Sequence, residues 1–275
     1  MEVTETNEPA WLDENHPNYE RWKRARYIAE ERGKFVVSII EQQIKCEGLT
    51  VLDLGSGEGG TAKVLAKINS VFSMDISLTR LLRQTDRENN LYRVNGDALN
   101  VPLKNESFDL IILQDVIEHV KSPAEMIDSL YSLLKKGGIL YLSTPNKFSL
   151  FNFIADPHWG MPFVSVLKRE TIKKYFLRNF RKNDSEREDA AQLFSLDDLD
   201  KILRNKFEIK LNTKFAVEKL IEGNKGIVWS DLHLNLLEII RKVHLQNFIL
   251  SAANDDYGFT NNFLNPTFYF LLKKK

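Results

Sequence analysis

The feature that most constrains the fold is a cluster of glycines that follows a short apolar segment. Leu49 to Leu54 is mostly apolar, Gly55 to Gly60 contains four glycines, and Thr61 to Ile68 spaces its apolar residues as a helix does. A strand, a tight turn and a helix in this order place a helix N-terminus beside the end of a strand. The segment therefore predicts an α/β fold.

The same alternation continues along the chain, and it predicts the rest of a sheet. Further strands are predicted at Val71–Met74, Leu91–Val94, Phe108–Leu113 and, after Gly137 and Gly138, at Ile139–Ser143, with helices from Leu78 and around Ala124–Leu134. Strands that alternate with helices of about ten to fifteen residues form right-handed crossovers and a parallel sheet covered on both faces.

Beyond Pro145 the pattern becomes irregular and then resumes in two places. The Ser195 hydroxyl is placed to cap a helix ahead of Asp197 and Asp198, and strands are predicted at Phe207–Leu211 and Thr267–Leu272. We divide the chain into an N-terminal helical segment (1–46), a core (47–145, 195–214 and 263–275) and two insertions (146–194 and 215–262).

Composition narrows the class of protein. The 275 residues suit one large α/β domain, and the 38 basic and 38 acidic residues cancel, so the field typical of nucleic-acid binding is absent. The single cysteine, Cys46, and a polar, acidic beginning of the chain favour a cytoplasmic setting. No apolar run approaches the roughly 18 residues expected of a membrane-spanning helix.

The acidic residues around the glycines decide between two interpretations. Gly55, Gly57 and Gly60 also fit the dinucleotide fingerprint, which keeps an NAD-dependent oxidoreductase as the runner-up. A dinucleotide would bring its pyrophosphate to this loop, where Asp53 and Glu58 would repel it. Two carboxylates suit a cationic ligand better.

Three downstream features extend the pattern. Asp75 ends the second predicted strand, Asn95-Gly96-Asp97-Ala98 follows the third, and Lys135-Lys136-Gly137-Gly138 precedes the fifth. Together with the glycine loop and the segment FDLIILQDVIEHV, they resemble the class I S-adenosylmethionine-dependent methyltransferases. The resemblance covers roughly residues 49–146 and is strongest to the branch with ubiquinone-biosynthesis and small-molecule or sugar methyltransferases.

The resemblance implies a Rossmann-like three-layer sandwich. Its sheet would have seven mostly parallel strands, with Pro266–Leu272 as an antiparallel last strand. The cofactor would be S-adenosylmethionine, released as S-adenosylhomocysteine. The resemblance assigns four residues to the methionine end of the cofactor: Asp53, Gly55, Gly57 and Glu58. It assigns Asp75 to the ribose and Asp97 with Ala98 to the adenine, and Gln114 would face the methyl-transfer site. Ser56, Gly59 and Ile76 are further candidates for cofactor binding.

Two histidines are candidates for chemistry on the acceptor. A sulfonium methyl is already electrophilic, so the protein mainly aligns the nucleophile, and a base is needed chiefly when the acceptor is a hydroxyl. His119, which follows Glu118, and His158, in Asp156-Pro157-His158-Trp159-Gly160, are the candidate catalytic residues. Each has a purely structural alternative. His16, His233 and His244 show no metal-ligand spacing, so no metal is expected.

The acceptor is expected to be a small molecule methylated at oxygen, such as a sugar, a nucleotide-linked sugar, or a quinone or lipid precursor. Residues 146–194 and 215–262 would form a lid on the acceptor side, with Trp159 and nearby phenylalanines either lining the pocket or packing within the lid.

Residues 168–182 carry seven basic side chains. This segment is expected to form an amphipathic helix, to bind an anionic acceptor or to contact a membrane surface. A monomer or homodimer is expected. RNA or protein methylation, and cofactor binding without turnover, remain alternatives.

Overall fold

The structure is a computed structural model. It describes residues 13–15, 19–84, 89–184, 190–224, 226–227 and 231–275. His16 lies outside the described residues, as do the side chains of Leu232, His233 and Leu236.

A seven-stranded sheet forms the centre of the molecule, as the sequence predicted. Its strand order is β3-β2-β1-β4-β5-β7-β6. Strand β7 runs antiparallel to both of its neighbours, and the pairs among β1 to β5 are all parallel. The strands are β1 Thr50–Leu54, β2 Ser70–Asp75, β3 Leu91–Asn95, β4 Phe108–Gln114, β5 Leu134–Pro145, β6 Phe207–Leu211 and β7 Thr267–Lys274.

Helices cover both faces of the sheet. They are α1 Tyr19–Tyr27, α2 Ala29–Ile40, α3 Gly60–Ala66, α4 Leu78–Leu82, α5 Pro123–Leu133, α6 Leu150–Ile154, α7 Arg169–Thr171, α8 Arg178–Phe180, α9 Leu196–Leu203, α10 Thr213–Glu222, α11 Asp231–Lys242 and α12 Gln246–Ala252. Short 3₁₀ turns lie at Ile117–His119, Val164–Val166 and Lys182–Asp184, and π-helical turns at Ile172–Leu177 and Thr260–Leu264. None of the helices in the described ranges is long and apolar enough to cross a bilayer.

Alternation along the strands creates one apolar core on each face. In β4, Ile111 and Leu113 pack toward α5 and α9, whereas Leu110 and Ile112 pack toward α2 and α3. Successive side chains of a strand point to opposite faces, so a strand buried on both faces is apolar throughout. The continuous apolar run in this segment follows from that double burial.

One strand begins earlier than the sequence indicated. β5 starts at Leu134 and includes Gly137 and Gly138, which were expected to precede it. Its pairing with β4 shifts register between Phe108 and Leu110. Extra residues on one strand make a local bulge, which lets two glycines lie within a paired segment.

The N-terminal helices pack directly on the helix that follows the glycine loop. A Cβ atom at Gly33 in α2 would lie 2.8 Å from Thr61 Cα, and one at Gly60 would lie 2.5 Å from the Ala29 carbonyl carbon. The two backbones are therefore in contact, which glycine alone permits. This contact carries α2 to the carboxyl end of the sheet.

The Ser195 cap predicted from sequence is confirmed. Its side chain accepts a hydrogen bond from the Asp198 amide, and the Asp198 carboxylate accepts one from the Ser195 amide. This reciprocal capping box begins α9 where the sheet resumes after residues 146–194.

The segment 146–194 has a small core of its own. Trp159, Val164, Ile172, Leu177 and Ala190 are buried together. Trp159 thus packs within the segment, the second of the two roles considered for it, whereas Phe151 and Phe163 are more than half exposed.

Candidate functional site

The loop after β1 has the tight, left-handed course expected of its glycines. Gly55, Gly57 and Gly59 have φ values of +70°, +56° and +79°. A Cβ at Gly55 would lie 2.3 Å from Val116 Cγ2, whereas one at Gly57 would meet no heavy atom of the described chain within 4 Å. Gly55 is thus required by close packing, and Gly57 faces open space at the N-terminus of α3.

A network of polar side chains, which the sequence did not predict, lies beneath this loop. The Gln84 side-chain amide donates to the Gly57 carbonyl at 2.8 Å, and the Ser73 hydroxyl lies 2.7 Å from Ser56 Oγ and 2.9 Å from Gln84 Oε1. Gln84 and Ser73 are both buried. The only sequence signal was a polar residue inside an apolar strand and another at the end of α4.

Asp75 holds the loop from the next strand. One carboxylate oxygen accepts a hydrogen bond from the Gly57 amide and the other accepts one from the Ser77 amide, each at 2.8 Å. The residue is 5% exposed. Each oxygen has a second lone pair, so the carboxylate can still accept hydrogen bonds from ribose hydroxyls.

Asp53 is a buried acid at the end of β1. Burial, with a smaller contribution from the charge of Asp75, raises its pKa to about 7 although a hydrogen bond from the Ala62 amide lowers it. Its Oδ2 atom has no hydrogen-bond partner among the described residues. A carboxylate in this position is stabilised by a cation.

The remaining cofactor candidates lie along the same edge. Ile76 and Asp97 follow β2 and β3 and are exposed, and Asp97 Oδ1 accepts a hydrogen bond from the Leu99 amide at 2.9 Å. Glu58 forms an ion pair with Arg83 at 3.2 Å. The structure therefore brings the predicted residues of β1, β2 and β3 to one edge, where parallel α/β sheets bind ligands.

At the end of β4 a charged pair joins two distant parts of the chain. Gln114 Oε1 accepts a hydrogen bond from Thr61 Oγ1 at 2.9 Å. Arg32, from α2, forms an ion pair of 2.5 Å with Asp115. Asp115 has a φ of +55°, a left-handed conformation that is uncommon outside glycine. No pattern in the sequence around Arg32 predicted this pairing.

The two candidate catalytic histidines meet beside a buried glutamate. The His119 and His158 rings lie edge to face with centroids 5.1 Å apart. His158 Nε2 is 3.7 Å from Glu118 Oε1. We call Glu118, His119 and His158 the polar centre. Burial, together with the charge of Asp115, raises the pKa of Glu118 to about 8.

Residues of the segment 146–194 hold the polar centre together. Asp156 Oδ1 accepts hydrogen bonds from the His158 and Trp159 amides, which fixes the turn that presents the imidazole. The Arg169 guanidinium donates to the carbonyls of Glu118 and Val120 at 2.8 and 3.0 Å. The hydrogen bonds of Arg169 therefore connect the segment that contains His158 to the 3₁₀ turn that contains His119.

Family comparison agrees with this architecture. Residues 21–206 match the model of a methyltransferase domain family. A ubiquinone biosynthesis O-methyltransferase of Coxiella burnetii is 32% identical over 113 residues, which are 39% of this chain and 48% of that protein. The mitochondrial ubiquinone biosynthesis O-methyltransferase of Dictyostelium discoideum is 26% identical over 184 residues, 57% of each chain. The chain spans about half the length of the curated relatives it matches.

Solved structures share the fold at low identity. A protein of Thermotoga maritima described as a SAM-dependent methyltransferase aligns with a TM-score of 0.54 and 17% identity, over 94% of this chain and 97% of its own. Phosphoethanolamine N-methyltransferase 2 of Haemonchus contortus, in complex with S-adenosyl-L-methionine, aligns with a TM-score of 0.54 and 18% identity, over 96% and 59%. Because the methyltransferase family model matches residues 21–206, more than half of the chain, the chain belongs to the class I S-adenosylmethionine-dependent methyltransferases.

Proposed function

We propose that this protein binds S-adenosylmethionine in the glycine loop and transfers its methyl group to a hydroxyl oxygen of a small molecule. The main support for the proposal is that two parts of the site follow the neighbouring strands β1 and β4. The glycine loop follows one strand and the polar centre follows the other, and their registers pair Leu54 with Leu113.

The residues of the loop fit the proposed cofactor. Gly57 leaves open space beside the helix N-terminus, and the buried Asp53 has a carboxylate oxygen without a hydrogen-bond partner in the described chain. Asp53 and Glu58 would attract the ammonium and sulfonium groups. Asp75 with Ile76 would contact the ribose, and Asp97 with Ala98 the adenine.

The strand order argues against the runner-up class. Dinucleotide-binding folds have the order 3-2-1-4-5-6, whereas this sheet inserts an antiparallel β7 between β5 and β6. An NAD-dependent oxidoreductase is therefore disfavoured by topology as well as by the acids around the loop.

Methyl transfer requires the protein chiefly to align the acceptor oxygen with the methyl group of the cofactor. When bound, the cofactor supplies the electrophilic methyl group; as the bond from acceptor oxygen to methyl forms, the bond from sulfur to methyl breaks. The hydroxyl proton must leave the oxygen during this transfer. The polar centre is the part of the site equipped to promote that loss, whereas Gln114 at the end of β4 would face the methyl group.

Two observations support a small-molecule acceptor that is methylated at oxygen. Curated relatives that align with part of the chain are named as ubiquinone biosynthesis O-methyltransferases. The net charge of zero gives no general attraction for RNA, which disfavours that alternative. The segments 146–194 and 215–262 are proposed to form a lid that excludes water from the acceptor.

Cofactor binding is tested by calorimetric titration with S-adenosylhomocysteine and, separately, with NAD. Asp75→Asn should weaken binding of S-adenosylhomocysteine by roughly 10- to 100-fold, because it removes a charged acceptor from the ribose contact. The control is Asp197→Asn, which changes an exposed acid elsewhere. Binding of NAD without S-adenosylhomocysteine would overturn the proposal.

The acceptor class is tested by transfer from methyl-labelled S-adenosylmethionine to sugars, nucleotide-linked sugars, quinone precursors and lipid precursors, with RNA and protein extracts as separate arms. We expect label in a small hydroxyl compound. His158→Asn should lower kcat by roughly 10²- to 10⁴-fold with little change in KM, the range for loss of proton-transfer assistance.

The matched control for that variant is His244→Asn, which replaces an exposed histidine distant in sequence from the polar centre. Label found only in RNA or protein would contradict the small-molecule assignment. A cofactor that binds but yields no S-adenosylhomocysteine in any arm would favour a binding protein without turnover.

A further inference from the structure

The polar centre contains the side-chain types that bind divalent transition metals. One ligand atom from each of Glu118, His119 and His158 lies within 4.8 Å of the other two. Two imidazoles and one carboxylate are a common protein ligand set of catalytic zinc, which keeps a fourth position open. The three residues come from two segments that the fold brings together.

A carboxylate at Glu118 is only partly stabilised by the protein. The side chain is 0% exposed. Its Oε2 accepts a hydrogen bond from Thr144 at 2.9 Å, whereas Oε1 has no hydrogen-bond partner among the described residues. The guanidinium of Arg169 donates to main-chain carbonyls nearby. A buried carboxylate is costly unless a hydrogen bond or a cation stabilises it, and Oε1 lies 3.7 Å from His158 Nε2.

We propose that Glu118, His119 and His158 form a binding site for one divalent cation of the zinc class. Ligand distances of about 2.0 to 2.2 Å place the atoms of a tetrahedral site roughly 3.3 to 3.5 Å apart. The contact of 3.7 Å is close to that spacing, and the widest pair must approach by at most about 1.5 Å. Rotation of an imidazole about its side-chain bonds supplies such a shift, and His158, which is 20% exposed at its side chain, faces solvent.

The role of this cation rests on the proposed function. Its open fourth position would take the acceptor hydroxyl and lower that hydroxyl's pKa, as zinc does for bound water. With the imidazoles acting as ligands rather than as bases, the proton would pass to solvent before the lid closes. The oxygen would then attack the methyl group as the bond from sulfur to methyl breaks. This inference departs from the expectation of no metal, which considered the spacing of His16, His233 and His244 but not a site formed by the fold.

The experiment titrates chelator-treated protein with Co²⁺, whose visible absorption reports nitrogen and oxygen ligands at low coordination number. We expect saturation at about one Co²⁺ per chain and competition by Zn²⁺. Glu118→Gln and His158→Asn should each weaken binding at least tenfold, the loss expected when a ligand is removed. His244→Asn, which changes an exposed histidine elsewhere, should bind as the unaltered protein does.

Two results would overturn the site. One is a visible spectrum unchanged by Co²⁺, and the other is equal binding by unaltered protein and His158→Asn. Because Glu118 is fully buried, thermal unfolding must show that Glu118→Gln still folds, and otherwise His158→Asn and His119→Asn decide the question. The titration contains neither cofactor nor acceptor, so its result is independent of whether methyl transfer is found.

Discussion

At the scale of single residues, two buried carboxyl groups distinguish this site from ordinary surface acids. Burial raises the pKa of Asp53 to about 7 and that of Glu118 to about 8. Both lie at the carboxyl ends of central strands, where the ligand is expected. In a ligand-free protein each carboxylate is held at an energetic cost, and a bound cation would relieve that cost.

Asp53→Asn should stabilise the ligand-free protein at alkaline pH. The pKa of Asp53 is higher in the folded state than its ordinary value of 3.8, so the folded state holds its proton more tightly. The free energy of unfolding therefore falls as pH rises from about 4 to about 7, and the full penalty remains above that range. At about 1.4 kcal/mol per unit, removing the penalty contributes at most about 4 kcal/mol near pH 8.

Urea denaturation of the ligand-free protein near pH 4.5 and near pH 8 measures this difference. The gain from Asp53→Asn should be larger at the higher pH, and Asp197→Asn, an exposed acid, should show no such trend. A gain that is equal at both pH values would mean that Asp53 is not protonated in the folded state at neutral pH.

At the scale of elements, the basic segment 168–182 is divided between an inner and an outer face. Ile172 and Leu177 are buried, whereas Tyr175 and Phe180 are 55% and 68% exposed. The Arg169 side chain points inward to the polar centre, so it cannot bind an anionic surface at the same time. The amphipathic helix expected from sequence is here a π-helical turn between two short helical turns.

The outer face of this segment leads to a prediction of peripheral contact with anionic membranes. Unaltered protein should sediment with vesicles containing phosphatidylserine, less so as salt is added. Lys174→Ala combined with Arg178→Ala should weaken this binding by roughly 30-fold, since each basic residue near an anionic surface contributes about 1 kcal/mol. The control pair, Lys67→Ala with Lys201→Ala, removes exposed charges elsewhere. Equal sedimentation of both pairs would exclude a specific role for the segment.

At the scale of the whole molecule, the site combines parts that are far apart in the chain. The glycine loop, the polar centre and α2 converge because β1 and β4 are neighbours in the sheet. Thr61, which follows the loop, contacts Gln114, which lies 53 positions later in the chain. The ion pair from Arg32 to Asp115 spans 83 positions. Such contacts require the whole sheet to form, so no single segment contains the site.

Local sequence patterns predicted the sheet, the glycine loop and most of the polar residues at the carboxyl edge of the sheet. Apolar runs and a capping hydroxyl act locally, which is why β6, the Ser195 cap and the strand at the end of the chain could be predicted. The antiparallel direction of that last strand was implied by the family resemblance. The tertiary structure determines which of the polar side chains contact each other. The pairing of Arg32 with Asp115, the network of Ser73 and Gln84, and the meeting of Glu118 with His158 depend on packing between distant segments. Local periodicity carries no information about such contacts, because they are set by how the helices and strands pack in three dimensions.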